Sequence, residues 1–463
     1  MIDLDFKNKR VTVMGLGLHG GGLAVTKFLA QKGAILTVTD LKSQKQLAQS
    51  IKELKNYKIK YVLGKHQLAD FINADMIIKN PGVPRNSKFL LAAQKRKVPI
   101  ETDLSLFFQL CPAENIIGIT GTKGKSTTTS LIYKIIKSWK KDAILGGNIR
   151  ISPLDFLPKI KKETPVILEL SSWQLEGLAD RKISPPYALI TNVLRDHLNT
   201  YNNMADYANA KSLIYRFQKS EDYLILNKQS EFTRKMAPRA RSKVYWFCLE
   251  KLNKKENGAF LEKNWLVFQE KGKKTKIIKS GDIQLAGAHN LANILAAICL
   301  VKIFKVPDAI IRDNIKNFKG IEGRLEFISQ CQGIKYYNDT TATTPDAVSA
   351  ALNSFDQKVV LLAGGTDKKL DFKELAKKIK EKTKSIILFE GTATEKLVKE
   401  LRSINYNENI VFVDSMKEAF KQAKYILKKG DIFLLSPGAA SFGLFINEFD
   451  RGEQFNQAVK KLS

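Results

Sequence analysis

The sequence predicts an α/β protein of three domains, and three observations predict it. Short β-branched or aromatic segments alternate with helically spaced ones along most of the 463 residues, the order that builds parallel sheets covered by helices. Two strand-to-helix junctions are rich in glycine, Gly15-Leu-Gly-Leu-His-Gly20 and Gly118-Ile-Thr-Gly-Thr-Lys-Gly-Lys-Ser-Thr127. The length suits about three domains at roughly 150 residues apiece. The expected division is 1–102, Rossmann-like; 103–319, a P-loop-type mononucleotide-binding ATPase domain; and 320–463, doubly wound and again Rossmann-like.

Hydrophobic residues make up 44 % and charged residues 26 %, ordinary for a soluble globular protein. No apolar run approaches the roughly 20 residues that span a membrane, and the N-terminal stretch reads as folded pattern, so no signal peptide is expected. Cys111, Cys248, Cys299 and Cys331 fit neither a disulfide framework nor a metal site, so a reducing cytoplasm is expected. The formal net charge of +30 admits nucleic-acid binding. The lysines are spread along the chain and far outnumber the arginines, which favours a solvated lysine-rich surface instead. An anionic nucleotide would gain from the field in either case.

In the first domain Arg10 to Met14 reads as a strand, followed by Gly15–Gly20, a helix to about Gln31 and a strand ending at Asp40. This is a G-x-G-x-x-G turn with an acid some twenty residues on. It suits NAD, and equally any ligand whose diphosphate rests on a helix start. A helix (Gln44 to Leu54) and strands at Lys60 to Leu63 and Met76 to Lys79 follow. The last strand runs into the rigid turn Asn80-Pro-Gly-Val-Pro84, on the sheet edge where such folds hold ligands.

In the second domain the apolar strand Asn115 to Ile119 enters the loop, and Ser126 to Trp139 leaves it as a helix with Leu131, Ile132, Ile135, Ile136 and Trp139 on one face. Strand, glycine loop and helix are the setting a phosphate-binding loop needs. The backbone N–H groups converge on phosphate oxygens, the helix start adds its dipole, Lys125 adds a full charge, and Ser126 offers a hydroxyl to magnesium. The spacing, G-x-x-G-x-x-G-K-S, is not a strict Walker sequence, because Ile119 stands where that pattern has glycine. Three more strands end in polar groups: Ala143 to Leu145 before Gly146-Gly-Asn148, Val166 to Leu170 around Glu169-Leu-Ser171, and Tyr187 to Asn192 before Asp196-His197. A helix from Met204 to Phe217 carries Lys211. Val244 to Phe247, Ala259 to Leu261 and Leu266 to Phe268 suggest antiparallel hairpins with lysine-rich turns. An apolar helix opens near Ala286-Gly-Ala-His289-Asn290 and runs to about Phe304, and another spans Asp308 to Phe318. The third domain begins near Gly320, with strands at Val359 to Ala363, Ser385 to Phe389, Ile410 to Val413 and Ile432 to Leu435.

Glu169, at the tip of an apolar strand, costs free energy unless it is partnered. A magnesium ion held with Ser126 would be one partner and a buried lysine another. His197 is one of four histidines; it suits a metal or active-site role beside such a loop, or plain packing.

These motifs together resemble the Mur ligase family over nearly the whole chain. The resemblance rests on the Gly121–Thr127 loop, Gly146-Gly-Asn148, Glu169-Leu-Ser-Ser-Trp-Gln-Leu-Glu176, Asp196-His197, Lys211, His289-Asn290-x-x-Asn293, Gly323-Arg324-Leu-Glu326, Asn338-Asp339, Gly364-Gly365 and Leu435-Ser-Pro-Gly-Ala-Ala-Ser441. It implies ATP-driven amide formation. A UDP-N-acetylmuramoyl-L-alanine carboxylate would take the γ-phosphate, and the D-glutamate amine would then attack the acyl phosphate. It implies a UDP moiety, not a dinucleotide, at Leu18, His19, Asp40, Lys42, Asn80 and Gly82, with Asn148 and Ser171. It implies ATP at Gly121, Thr122, Lys123, Gly124, Lys125, Ser126, Thr127, Asn293, Arg324 and Asp339. Two magnesium ions are implied, one at Ser126 and Glu169, the other at His197 and a carbamylated Lys211. Lys125, Glu169, His197 and Lys211 are the implied catalytic set. D-Glutamate would meet Thr343, Lys368 and Ser441, with Phe445 or Phe449 as the aromatic contact. The expected partners are these small molecules, with neither membrane nor nucleic acid, and a monomer is favoured. Lys123, Ser105 and Thr341 depart from the residues usual in the family, as does the order Asn447-Glu-Phe449.

Overall fold

A computed structural model describes residues 5–17, 21–149, 151–194, 201–285, 287–367, 370–406, 410–441 and 443–462. The chain forms two compact units, one of Met1–Asp282 with His289–Lys316, the other of Ile283–Ala288 with Asn317–Ser463.

The first unit holds two sheets. The strands of the first are β1 (Arg10–Met14), β2 (Ile35–Asp40), β3 (Ile59–Leu63), β4 (Met76–Lys79) and β5 (Ile100–Glu101). Their order is β3-β2-β1-β4-β5, all parallel. The strands of the second are β6 (Ile116–Thr120), β7 (Ile144–Gly147), β8 (Val166–Glu169), β9 (Tyr187–Ile190), β10 (Tyr223–Asn227), β11 (Lys243–Cys248), β12 (Gly258–Glu262), β13 (Trp265–Glu270) and β14 (Lys273–Lys279). They run β14-β13-β12-β11-β10-β9-β6-β8-β7. The central strands are apolar on both faces because helices cover both. β6 and β8 are buried at every residue.

The helix Asp103–Leu110 joins the two sheets, and its Leu104, Leu106 and Phe107 belong to a core shared with Val13, Leu154, Val166 and Leu168. Truncating a buried ring such as Phe107 to alanine costs about 3–5 kcal/mol. A capping box starts this helix: the Ser105 N–H donates to Thr102 Oγ1 (3.0 Å) and the Thr102 N–H to Ser105 Oγ (2.7 Å). Ser105 Oγ in turn donates to Glu101 Oε2 (2.6 Å). The serine at this unusual position thus has a structural task.

Two expectations are corrected. β11 and β12 pair in parallel, so only β12-β13 and β13-β14 are antiparallel hairpins. The segment 249–257 returns the chain across the sheet, anchored by Leu252, which packs with Cys248, Phe260 and Val267. The helix expected over Met204 to Phe217 stops at Ser212, where Leu213 and Ile214 begin turns.

The second unit contains β15 (Glu326–Cys331), β16 (Ile334–Asn338), β17 (Val359–Gly364), β18 (Thr383–Phe389), β19 (Ile410–Val413) and β20 (Ile432–Leu435), ordered β15-β16-β20-β17-β18-β19. Only β15-β16 is antiparallel. Apolar clusters cover both faces, one around Leu361, Leu388 and Leu434, the other around Val360, Phe389 and Phe433. Among the described residues no helix is long and apolar enough to cross a membrane.

Candidate active site

The loop after β6 is held from one side by the end of β9. The Lys123 N–H donates to Asn192 Oδ1 (2.9 Å), and Asn192 Nδ2 and Thr191 Oγ1 donate to the Lys123 carbonyl (3.0 and 2.7 Å). The Thr122 N–H donates to the Asn192 carbonyl (2.9 Å). The helix Lys125–Trp139 then starts at Gly124 with no side-chain cap, leaving its positive end to a ligand. Asn293, from the helix Ala288–Ile303, packs against Gly124, where a Cβ would fall 2.2 Å from its Oδ1.

Two lysines turn toward one backbone oxygen. Lys125 Nζ donates to the carbonyls of Gly121 and Thr122 (3.0 Å each), and Lys211 Nζ donates to the Gly121 carbonyl (2.9 Å). Lys211 is 2 % exposed and lies over the Tyr207 ring, 4.5 Å from its centre. Two ammonium groups on one acceptor repel each other, so an anion arriving here is favoured by both.

Glu169 sits level with Ile119 in the β6-β8 register, one residue before the strand end that feeds the loop. It is 2 % exposed, accepts Asn148 Nδ2 at Oε1 (2.8 Å), and has no hydrogen-bond partner at Oε2. A buried, unpartnered carboxylate oxygen beside a hydroxyl-bearing loop is the donor chemistry of a hard divalent cation, and the residues fit magnesium. Among the described residues there is no cluster of three His, Cys, Asp or Glu side chains. Asp196 and His197 lie outside the described residues.

The first glycine turn is furnished differently. Asp40 accepts the N–H groups of Gly17 at Oδ2 (3.1 Å) and of Lys42 at Oδ1 (2.9 Å). Asn80 donates to the Gly15 carbonyl (3.2 Å) and accepts the Gly82 N–H (3.2 Å). These residues therefore shape the turn and the edge of a small cleft lined by Gly15, Gly21, Gly22, Lys79, Asn80 and Asp103. Leu18 and His19 lie outside the described residues. Asn148 and Ser171 belong to the second sheet: Asn148 orients Glu169, and Ser171 caps the helix Ser172–Ala179.

In the second unit, Asp339 accepts Ser436 Oγ (2.7 Å) and the Leu325 N–H (3.0 Å). Burial raises its carboxyl to about 7, against the lowering effect of those bonds and of the Arg324 charge. Thr343 and the buried Ser441 stand on loops after β16 and β20. Phe445 packs edge-on against Phe389 (5.1 Å), whereas Phe449 is 51 % exposed. Lys368 lies outside the described residues.

Three participants were not anticipated from the sequence. Asn192 brackets the loop; its place at the end of an apolar strand was the available signal. Asp103 is buried with Oδ1 unpartnered and burial raises its carboxyl to about 6; the Thr-Asp-Leu-Ser capping pattern was a signal available for the helix, though not for the burial. Arg451 is wholly buried in the second unit, and nothing local in the sequence signals it.

Family models agree in order with this arrangement. "Mur ligase MurD-like, N-terminal domain" matches residues 9–102, "Mur ligase middle domain" 119–301, and "Mur ligase, glutamate ligase domain" 323–438. A UDP-N-acetylmuramoylalanine–D-glutamate ligase of Roseiflexus sp. (strain RS-1) is 42 % identical, over 99 % of this chain and 100 % of its own. Its counterpart from Borreliella burgdorferi (strain ZS7) is 40 % identical over 99 % of each. The crystal structure of MurF ligase from Thermotoga maritima in complex with ADP shares the fold, with a TM-score of 0.56 and 18 % identity over the full length of both chains. With relatives this similar end to end, and with all three domain models matched in order, the chain belongs to the Mur ligase family.

Proposed function

We propose that this chain is an ATP-dependent ligase that adds D-glutamate to UDP-N-acetylmuramoyl-L-alanine through an acyl phosphate, in peptidoglycan precursor synthesis. The names of the full-length relatives and the glutamate ligase domain match support the substrates. The observation that carries the chemistry is the unpartnered Oε2 of Glu169 beside a loop on which two lysines converge.

A carboxylate approaching a triphosphate brings anion to anion, so the protein must supply positive charge where negative charge gathers. Lys125 and the uncapped start of its helix would supply positive charge to the phosphates. Bound magnesium would screen the β- and γ-phosphate oxygens, held by Glu169 and Ser126. Asn148 fixes Glu169 by one oxygen and leaves the other for the cation. Lys211, already at the loop, would contribute to a second ion together with His197 if its amine were carbamylated, since an ammonium repels a cation and a carbamate does not. The acceptor carboxylate oxygen bonds to the γ-phosphorus as the bond to ADP breaks. The amine nitrogen then bonds to the acyl carbon, phosphate departs, and the amine proton passes to solvent. Asp40 and Asn80 shape the turn for the UDP moiety. Arg324 and Asp339 keep the nucleotide role in this proposal, and Thr343, Lys368 and Ser441 the amino-acid role.

The test is phosphate release from ATP with UDP-N-acetylmuramoyl-L-alanine, compared across D-glutamate, L-glutamate, L-alanine and lysine. D-Glutamate alone should drive turnover. Release driven by another amino acid would move the specificity, and release with none would end the ligase reading.

A further inference from the structure

The helix Glu448–Lys460 carries Arg451, the largest fully buried side chain among the described residues, at 0 % exposure. A buried guanidinium must place its N–H groups on acceptors. Nε donates to Thr340 Oγ1 (3.1 Å), Nη2 to the Thr340 carbonyl (2.9 Å) and Nη1 to the Ala439 carbonyl (3.4 Å). Around this fork the contact is tight. Thr340 Oγ1 donates to the Glu448 carbonyl (2.6 Å), and Asn338 Nδ2 donates to the Gly452 carbonyl (3.2 Å) and to Asn456 Oδ1 (2.9 Å). Only glycine at 452 allows that approach, since a Cβ there would fall 2.7 Å from Thr340 Cγ2.

The two loops so joined leave the carboxyl ends of β16 and β20, neighbouring parallel strands. That is the edge where open α/β sheets hold ligands. One loop carries Thr343 and the other Ser441, and the Gly438 N–H donates to the Ala342 carbonyl between them (2.8 Å). The three acceptors of Arg451 are all neutral oxygens. Burial pulls the guanidinium down to about 10, and Glu448, one turn earlier, acts through space in the other direction. The side chain therefore stays cationic at neutral pH. The glutamate ligase domain match ends at residue 438, so Arg451 lies outside it.

We propose that Arg451 is a positioning residue for the amino-acid substrate: it clamps the loops bearing Thr343 and Ser441 into one cradle and gives that cradle a preference for an amino acid with a second carboxylate. This rests on reading the second unit as the amino-acid site. Arg451→Met removes both fork and charge, and Arg451→Lys keeps the charge without the fork.

Each variant is measured for kcat, for the KM of each substrate, for Tm, and for its preference for D-glutamate over D-glutamine. Arg451→Met should raise the amino-acid KM about tenfold or more, with the KM values for ATP and the nucleotide-linked acceptor within about twofold of wild type. Arg451→Lys should fall between and retain the preference for glutamate that Arg451→Met loses. Should Arg451→Met fail to fold, Arg451→Lys decides alone. An unchanged amino-acid KM, or all three KM values rising together, overturns the proposal. Wild type is scanned first across amino acids, and the variants are assayed with whichever one it uses. Failure of D-glutamate there strikes the specificity reading and leaves Arg451 to its own result; no turnover with any amino acid ends both.

Discussion

Both sheets of the first unit send a strand through a glycine-rich turn into a helix, yet the two turns are furnished with different charged groups. After β6 two lysines converge on the Gly121 carbonyl, and the nearby acid, Glu169, keeps one oxygen unpartnered. After β1 carboxylates stand at the turn: Asp40 takes the N–H groups of Gly17 and Lys42, and Asp103 lies buried in the cleft at Gly21 and Gly22, which Lys79 and Asn80 also line. The positive end of a helix is common to both and cannot by itself distinguish them. What differs is the charge the rest of the chain brings. On the proposed reading the β6 turn receives several negative charges together with a cation, whereas at the β1 turn a carboxylate, Asp40, holds the backbone itself.

The hardest test of that contrast is Lys125→Ala. It should lower kcat/KM by about 10³-fold, the scale for losing a preorganised charge on the reacting group, with Tm little changed. A drop below tenfold would make the two turns alike. Glu169→Gln comes next, with a loss of about 10²-fold in kcat. Its second readout is the rise in Tm that magnesium and a non-hydrolysable ATP analogue give wild type, which should shrink in the variant; an undiminished rise would remove Glu169 from the metal site.

The smallest effect belongs to the β1 turn. Burial raises the Asp103 carboxyl from 3.8 to about 6, so the folded state holds this proton more tightly than the unfolded state. That contribution is complete below the unfolded value and is lost as pH rises through the folded one. Asp103→Asn should therefore match wild type in Tm near pH 4 and exceed it increasingly toward pH 7. A pH-independent difference would mean that the carboxyl does not titrate in this window.

Much of this was legible in the sequence because the signals are local. The strand, the Gly-Lys-Ser loop and the following helix are contiguous, and Glu169 and Asn148 stand at the ends of recognisably apolar strands. Pairing direction is not local. The segments Val244 to Phe247 and Ala259 to Leu261 read correctly as strands, but their parallel pairing depends on Leu252 docking the connection between them. The Glu326–Cys331 and Ile334–Asn338 hairpin escaped notice because its apolar residues do not alternate cleanly with polar ones along either strand. Asp103 and Arg451 were invisible for a third reason. Charged side chains are read as surface, and only tertiary packing reveals that these two are inside.

The Arg451 clamp also has a bearing on biosynthesis. Translation delivers Thr340 and Ala439 to the ribosome exit before the helix that ties them together. A growing polypeptide halted short of residue 448 could already hold the whole triphosphate loop, with its second-unit loops not yet locked to one another. A firm hold on the amino-acid substrate would then follow only once the arginine emerged and tied Thr340 to Ala439.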